Sequence, residues 1–149
     1  MNKEQLFTLE NAFDKNKTGD LKQWTIDYLM TEGNNTKLAE SLDKNIIISV
    51  VLVEFPLDKL KRIVGPEPEM LFLESSEKWE KRVESLVDAL KNNAKFPPLI
   101  VTDIWDNFTI ADGGHRYEAL KRCGIEKYWT IFLFTKNESQ KLLEERLVG

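Results

Sequence analysis

The chain has one cysteine and one histidine in 149 residues. A single cysteine cannot close an internal disulfide, which fits a reducing compartment. With one of each, a zinc-type His/Cys centre is excluded. No apolar run approaches the ~20 residues of a membrane-spanning helix. The opening Met-Asn-Lys-Glu-Gln-Leu lacks the basic-then-apolar pattern of a signal peptide. The expectation is a cytoplasmic protein with no membrane partner. Excess positive charge is also missing, since the net charge is −4 and the pI about 5.2. Affinity for long nucleic acids comes largely from many Lys and Arg contacts to phosphates, so DNA is the less favoured partner. No internal repeat or low-complexity tract is visible.

The hydrophobic fraction of 42%, a tenth of the chain being aromatic, supplies a core for one domain. Charge is unevenly spread. Residues 1–45 carry net −2, residues 46–106 net −3 and residues 107–149 net +1. The last segment suits a small anionic ligand, although ordinary surface mixing gives the same count.

Apolar residues at mixed three- and four-residue spacing (Leu6, Leu9, Phe13, then Leu21, Trp24, Tyr28, Leu29) predict helices over residues 3–44. Polar breaks are expected at 14–19 and 31–36, with Asn35 or Thr36 capping a short helix over 37–42. Residues 46–55 form a β-branched run that predicts a buried strand. Pro56 is expected to open a short helix through Ile63. Gly65-Pro66-Glu67-Pro68-Glu69 is a breaker, and Ser75 or Ser76 caps a long helix ending near Asn93. Pro97-Pro98 precedes a strand over 99–105. Asp106-Asn107 is a turn candidate, 108–111 a second strand, 128–134 a last strand and 136–147 a terminal helix. Alternation of strands and helices predicts an α/β (α+β) class with a small mixed sheet. The division expected is a helical extension, 1–45, before a domain at 46–149.

The chemistry concentrates in Asp112-Gly113-Gly114-His115-Arg116. Strand, glycine turn and helix follow in that order, so backbone N–H groups and the helix dipole are offered to an anion. The two glycines permit positive φ and close approach. Arg116 adds a bidentate phosphate contact and His115 a donor that switches with protonation. Asp112 orients a hydroxyl, holds Mg²⁺ or acts as a base. The bland alternative is a structural turn in which Asp112 caps the helix and His115 and Arg116 are solvated. Glu67, Glu69, Glu74 and Glu77 surround the proline loop and offer a metal ligand or a general base, or else a solvated acidic loop. Gly33-Asn34-Asn35-Thr36 offers polar side chains to a ligand, or else is a helix-linking turn, the simpler reading. Cys123 reads as a buried filler in preference to a nucleophile, with no base beside it. The four tryptophans read as core.

Phe96-Pro97-Pro98-Leu99-Ile100-Val101, a turn, and then Thr109 through Gly124 with the Asp112–Arg116 motif resemble the ParB N-terminal/sulfiredoxin superfamily. Residues 57–90 are similar to the opening of that family, and the resemblance spans about residues 46–135. It implies a small mixed sheet flanked by helices that binds nucleotides. Members include CTP-hydrolysing partition proteins, ATP-using sulfiredoxins and free serine kinases. By that resemblance Gly113, Gly114, His115 and Arg116 contact phosphates. Asp112 matches the acidic residue of the kinase-like version, and Glu67 or Glu69 stands for a catalytic glutamate. Sulfiredoxin chemistry needs a cysteine where this chain has Gly114. Partition proteins add an arginine-rich box and a helix-turn-helix domain not found here. The functional expectation is an ATP-using (or CTP-using) phosphotransferase or nucleotide hydrolase. It would work with Mg²⁺ and an unidentified small-molecule or protein acceptor. The alternative is a non-catalytic nucleotide-binding regulatory or DNA-associated module.

Overall fold

The computed structural model describes residues 7–33, 35–104 and 108–148. Its elements run α1 (Leu9–Thr18), α2 (Leu21–Met30), α3 (Thr36–Lys44), β1 (Ser49–Pro56), a 3₁₀ turn (Leu57–Lys59), β2 (Val64–Gly65), β3 (Phe72–Leu73), α4 (Ser76–Lys91), β4 (Leu99–Thr102), β5 (Thr109–Asp112), α5 (Gly114–Arg122), β6 (Lys127–Phe134) and α6 (Asn137–Val148). Leu6, Asn34, Trp105 and the turn candidate Asp106-Asn107 lie outside the described residues.

A four-stranded mixed sheet in the order β1-β6-β4-β5 is the centre of the fold. β6 pairs antiparallel with β1 and parallel with β4, and β4 pairs antiparallel with β5. Side chains alternate between the two faces of a strand, so β6 serves two cores. Phe132 and Phe134 meet Trp79 and Val83 of α4, Leu120 of α5 and Leu143 of α6. Ile131 and Leu133, with Ile100 of β4, meet Trp24, Leu29, Leu38 and Leu42 of α2 and α3. The N-terminal helices therefore cover one whole face of the sheet, giving three layers.

Several local expectations need correction. The polar stretch 14–18 is helical, and α1 stops only where Gly19 takes φ +80°. The run 46–55 is not a fully buried strand. It forms an edge strand, half-buried over most of its length, with Ile46 82% exposed and Ile48 also exposed. The helix expected after Pro56 is only the 3₁₀ turn. Its successor is extended because the Lys61 N–H and C=O pair with Phe108 and Ile110 beside β5. Two ladder bonds there displace a helix too short to satisfy its own ends. The strand expected over 99–105 ends at Thr102. Asp103 is fully buried and accepts from the Thr135 and Lys136 N–H groups and the Thr135 and Ser139 hydroxyls, tying down the start of α6.

Other expectations match. Asn35 caps α3 by accepting from the Leu38 N–H, and Ser75 caps α4. Trp24 and Trp79 are core residues, whereas Trp129 is half-buried against Phe13. Cys123, expected buried, is instead a half-buried free thiol at the end of α5. Among the described residues no helix is long and apolar enough to cross a membrane.

Candidate functional site

β5 delivers the chain to Gly113, which takes φ +107°, a conformation that excludes most side chains. A Cβ there would also lie 2.8 Å from Arg116 Nη2 and 2.9 Å from Leu99 Cδ2. α5 begins at once, and its first backbone bond runs from the Tyr117 N–H to the Gly113 carbonyl. The N–H groups of Gly114, His115 and Arg116 precede that bond, and no side chain caps them. The reading of Asp112 as a helix cap is therefore corrected. Its Oδ2 accepts from Arg116 Nη2 at 3.2 Å and its Oδ1 from Asn35 Nδ2 at 3.3 Å.

Arg116 is neither solvated nor a free phosphate fork. Its side chain is 10% exposed. Nη1 donates to the Pro97 and Pro98 carbonyls at 2.7 and 3.0 Å, Nη2 donates to Asp112, and the guanidinium lies 5.7 Å from the Tyr28 ring. Prolines carry no N–H, so these two carbonyls sit in a stretch poor in donors of its own. Arg116 thus ties the double-proline segment to the glycine turn.

His115 packs against the Trp79 ring at 4.6 Å, and its Nε2 lies 2.8 Å from Glu74 Oε2. Burial pushes the imidazole below the usual histidine range, more strongly than Glu74 pulls it up. The neutral ring donates Nε2–H to the carboxylate and keeps Nδ1 as an acceptor. A depressed histidine means that the unfolded chain binds more protons as pH falls through 6.5, so stability rises with pH there and is lost on acidification. Because this is the chain's one histidine, His115→Asn is expected to flatten the loss of stability between about pH 6.5 and 5. Urea midpoints across that range test it, and equal slopes for variant and wild type would contradict it.

Among the described residues, neither Glu67 nor Glu69 bonds to the Asp112–Arg116 turn. Glu67 is bound by Arg62 at 2.6 and 3.0 Å, which holds its carboxyl below the usual range. Glu69 is exposed and does not line the cavity. Glu74 reaches the site only through His115.

The first turn of α5 opens into a cavity of about 390 Å³. Arg82 and Leu86 of α4, Pro97, Ile63 and Val64 contribute to its walls. The N-terminal helical segment adds Tyr28, Glu32 and Asn35. Sequence reasoning missed most of these. Arg82 had a signal, since it lies three residues after Trp79 and four before Leu86, beside the buried stripe of α4. Asn35 belongs to the polar Gly33–Thr36 stretch, but its meeting with Asp112 across 77 residues had no signal, and neither did Tyr28. Among the described residues no group of three His, Cys, Asp or Glu side chains could hold a metal ion. Both Asp112 oxygens are already engaged, so the residues do not fit a protein-held Mg²⁺.

Residues 75–144 match the family model of the ParB N-terminal domain. Two solved structures are similar to this chain. A Pnob8-like ParB-N domain is 17% identical over 62% of this chain and 32% of that one, with a TM-score of 0.42. Sulfiredoxin from Arabidopsis thaliana is 24% identical over 65% of this chain and 97% of that one, with a TM-score of 0.40. The chain thus spans about a third of the ParB-N structure it matches. No curated protein matches it. From the cap of α4 through β6 and into α6, the layer that carries the Asp112–Arg116 turn, the chain is similar to the ParB N-terminal domain.

Proposed function

We propose that this protein is a ParB-like nucleotide-binding module that holds the phosphates of a nucleoside triphosphate at the N-terminus of α5. The observation carrying this reading is the uncapped first turn of α5 opening into the cavity. Gly114 supports it, because a Cβ there would make only ordinary contacts at 3.8–3.9 Å, so the fold itself does not require glycine at this place. Three N–H groups of the first turn and the positive helix end stabilise an anion, and Arg82 adds a full charge to the same cavity. Leu86, Pro97 and Val64 supply apolar surface for the remainder of the ligand. Arg116 and Asp112 position the turn instead of spending their charge on the phosphates. A bound triphosphate would bring its own metal ion and its reactive phosphoanhydride.

Turnover is the second reading, and the Glu74–His115 pair favours it. An imidazole oriented by a carboxylate beside an anion cradle is the arrangement of a general base. Glu67 and Glu69 have no part in it.

Thermal unfolding with ATP, CTP, GTP and UTP, each with and without Mg²⁺, tests the primary reading. At 100-fold its Kd a ligand adds about 2.7 kcal/mol to apparent stability. No response to any triphosphate would reject it. Glu67→Gln/Glu69→Gln is expected to respond like wild type. Steady phosphate release that disappears in Glu74→Gln while the thermal response remains would favour turnover. Salt-dependent binding of duplex DNA without any triphosphate response would favour the DNA-associated alternative.

A further inference from the structure

The cavity at α5 borders a second one, with Asn35, Ile63, Val64 and Ala111 lining both. The second is a slot of about 380 Å³ between α3 and the β2–β3 pair. Its remaining walls are Lys37, Leu38 and Ser41 of α3 and Phe72 of β3. Phe72 is 49% exposed.

The slot differs in chemistry from the cradle. It has no uncapped helix turn, since Asn35 already caps α3. Lys37 is the one ionisable residue among its walls, it is exposed, and no ion pair joins it to an acid among the described residues. A lone lysine among the walls repels a cation and is too little for a polyphosphate. It matches one carboxylate, which stays partly hydrated there and so escapes most of the cost of burial. The apolar body of the same molecule would pack against the walls given by Leu38, Ile63 and Val64.

We propose that the slot between α3 and β2–β3 binds a small apolar carboxylic acid, with the carboxylate on Lys37 and the apolar body pointing toward Ala111 and the cradle. This site goes beyond the nucleotide reading and stands without it. It also gives the N-terminal helices a role, since α3 builds one wall.

The probes are hydrocinnamate and its neutral amide, titrated into the full chain without nucleotide and followed by protein NMR. Hydrocinnamate is expected to bind with shifts confined to the slot residues. Lys37→Glu should weaken the acid by about five- to tenfold and leave the amide unchanged. Ser41→Trp fills the slot and should abolish binding of both probes, while leaving any thermal response to triphosphates as in wild type. No binding of the acid to the folded wild type overturns the proposal. So does an equal response of acid and amide to Lys37→Glu. A chain that binds the acid but no triphosphate loses the nucleotide reading alone.

Discussion

Arg116→Ala is expected to unfold well below wild type, whereas Arg122→Ala barely moves the midpoint. Both arginines lie on α5 and both meet carboxylates, so the contrast isolates burial. Arg122 pairs with Glu80 and Glu118 at the surface, its side chain a third exposed. Such pairs are screened and cost side-chain entropy to hold. Arg116 is buried, and its guanidinium satisfies two proline carbonyls and Asp112 together. Removing it strands three acceptors, one of them charged, in a site closed to most water. Breaking such an arrangement costs about 3 kcal/mol or more. For a chain of this size that is roughly 6–12 °C in Tm. Arg116→Lys should recover only part, because a single ammonium lacks the fork that reaches both carbonyls and the carboxylate. Calorimetric or circular-dichroism melts decide the matter, and an Arg116→Ala protein as stable as wild type would show that the clamp does not hold the turn.

Arg116 also shows where sequence reading succeeds and where it stops. The Asp112–Arg116 stretch was legible because its signals are local: glycines that permit a left-handed turn, a strand before them and a helix after. The mixed α/β class followed from alternating element types in the same way. The partner of each charged side chain was not legible, because those partners arrive from distant segments. Arg116 looks like a phosphate fork until the Pro97 and Pro98 carbonyls appear beside it. Glu67 looks like a base until Arg62 closes on it. Glu74, one of four loop glutamates in the sequence, is singled out only by its contact with His115. The run 46–55 misled for a related reason. Its β-branched residues are those of a buried strand, but edge or centre is decided by which strands pair, and that is a property of the whole sheet. The N-terminal helices were readable as helices. Their place over the second face of the sheet, with Tyr28 and Asn35 reaching the cavity, was not.

The two adjacent glycines are expected to separate folding from binding. Gly113→Ala should damage both. Its φ of +107° is strained for alanine, and the new Cβ would press on Arg116 Nη2 and Leu99. Strain of that kind costs about 1–3 kcal/mol, and here it also disturbs the Arg116 clamp. Gly114→Ala should fold as well as wild type. Gly114 is the first residue of α5, its φ is not positive, and alanine suits a helix better than glycine does. Its Cβ would make ordinary contacts at 3.8–3.9 Å with Arg62 and Val64. The same methyl group occupies the space beside the free N–H groups where the proposed phosphate sits. Losing charge-assisted hydrogen bonds worth about 1.5–3 kcal/mol would weaken triphosphate binding roughly 10- to 100-fold. The comparison needs a melt and a triphosphate titration for each variant. A Gly113→Ala protein with wild-type stability would contradict the turn geometry. A folded Gly114→Ala protein that binds triphosphate like wild type would move the ligand away from the first turn of α5, and the phosphate-cradle reading would fall with it.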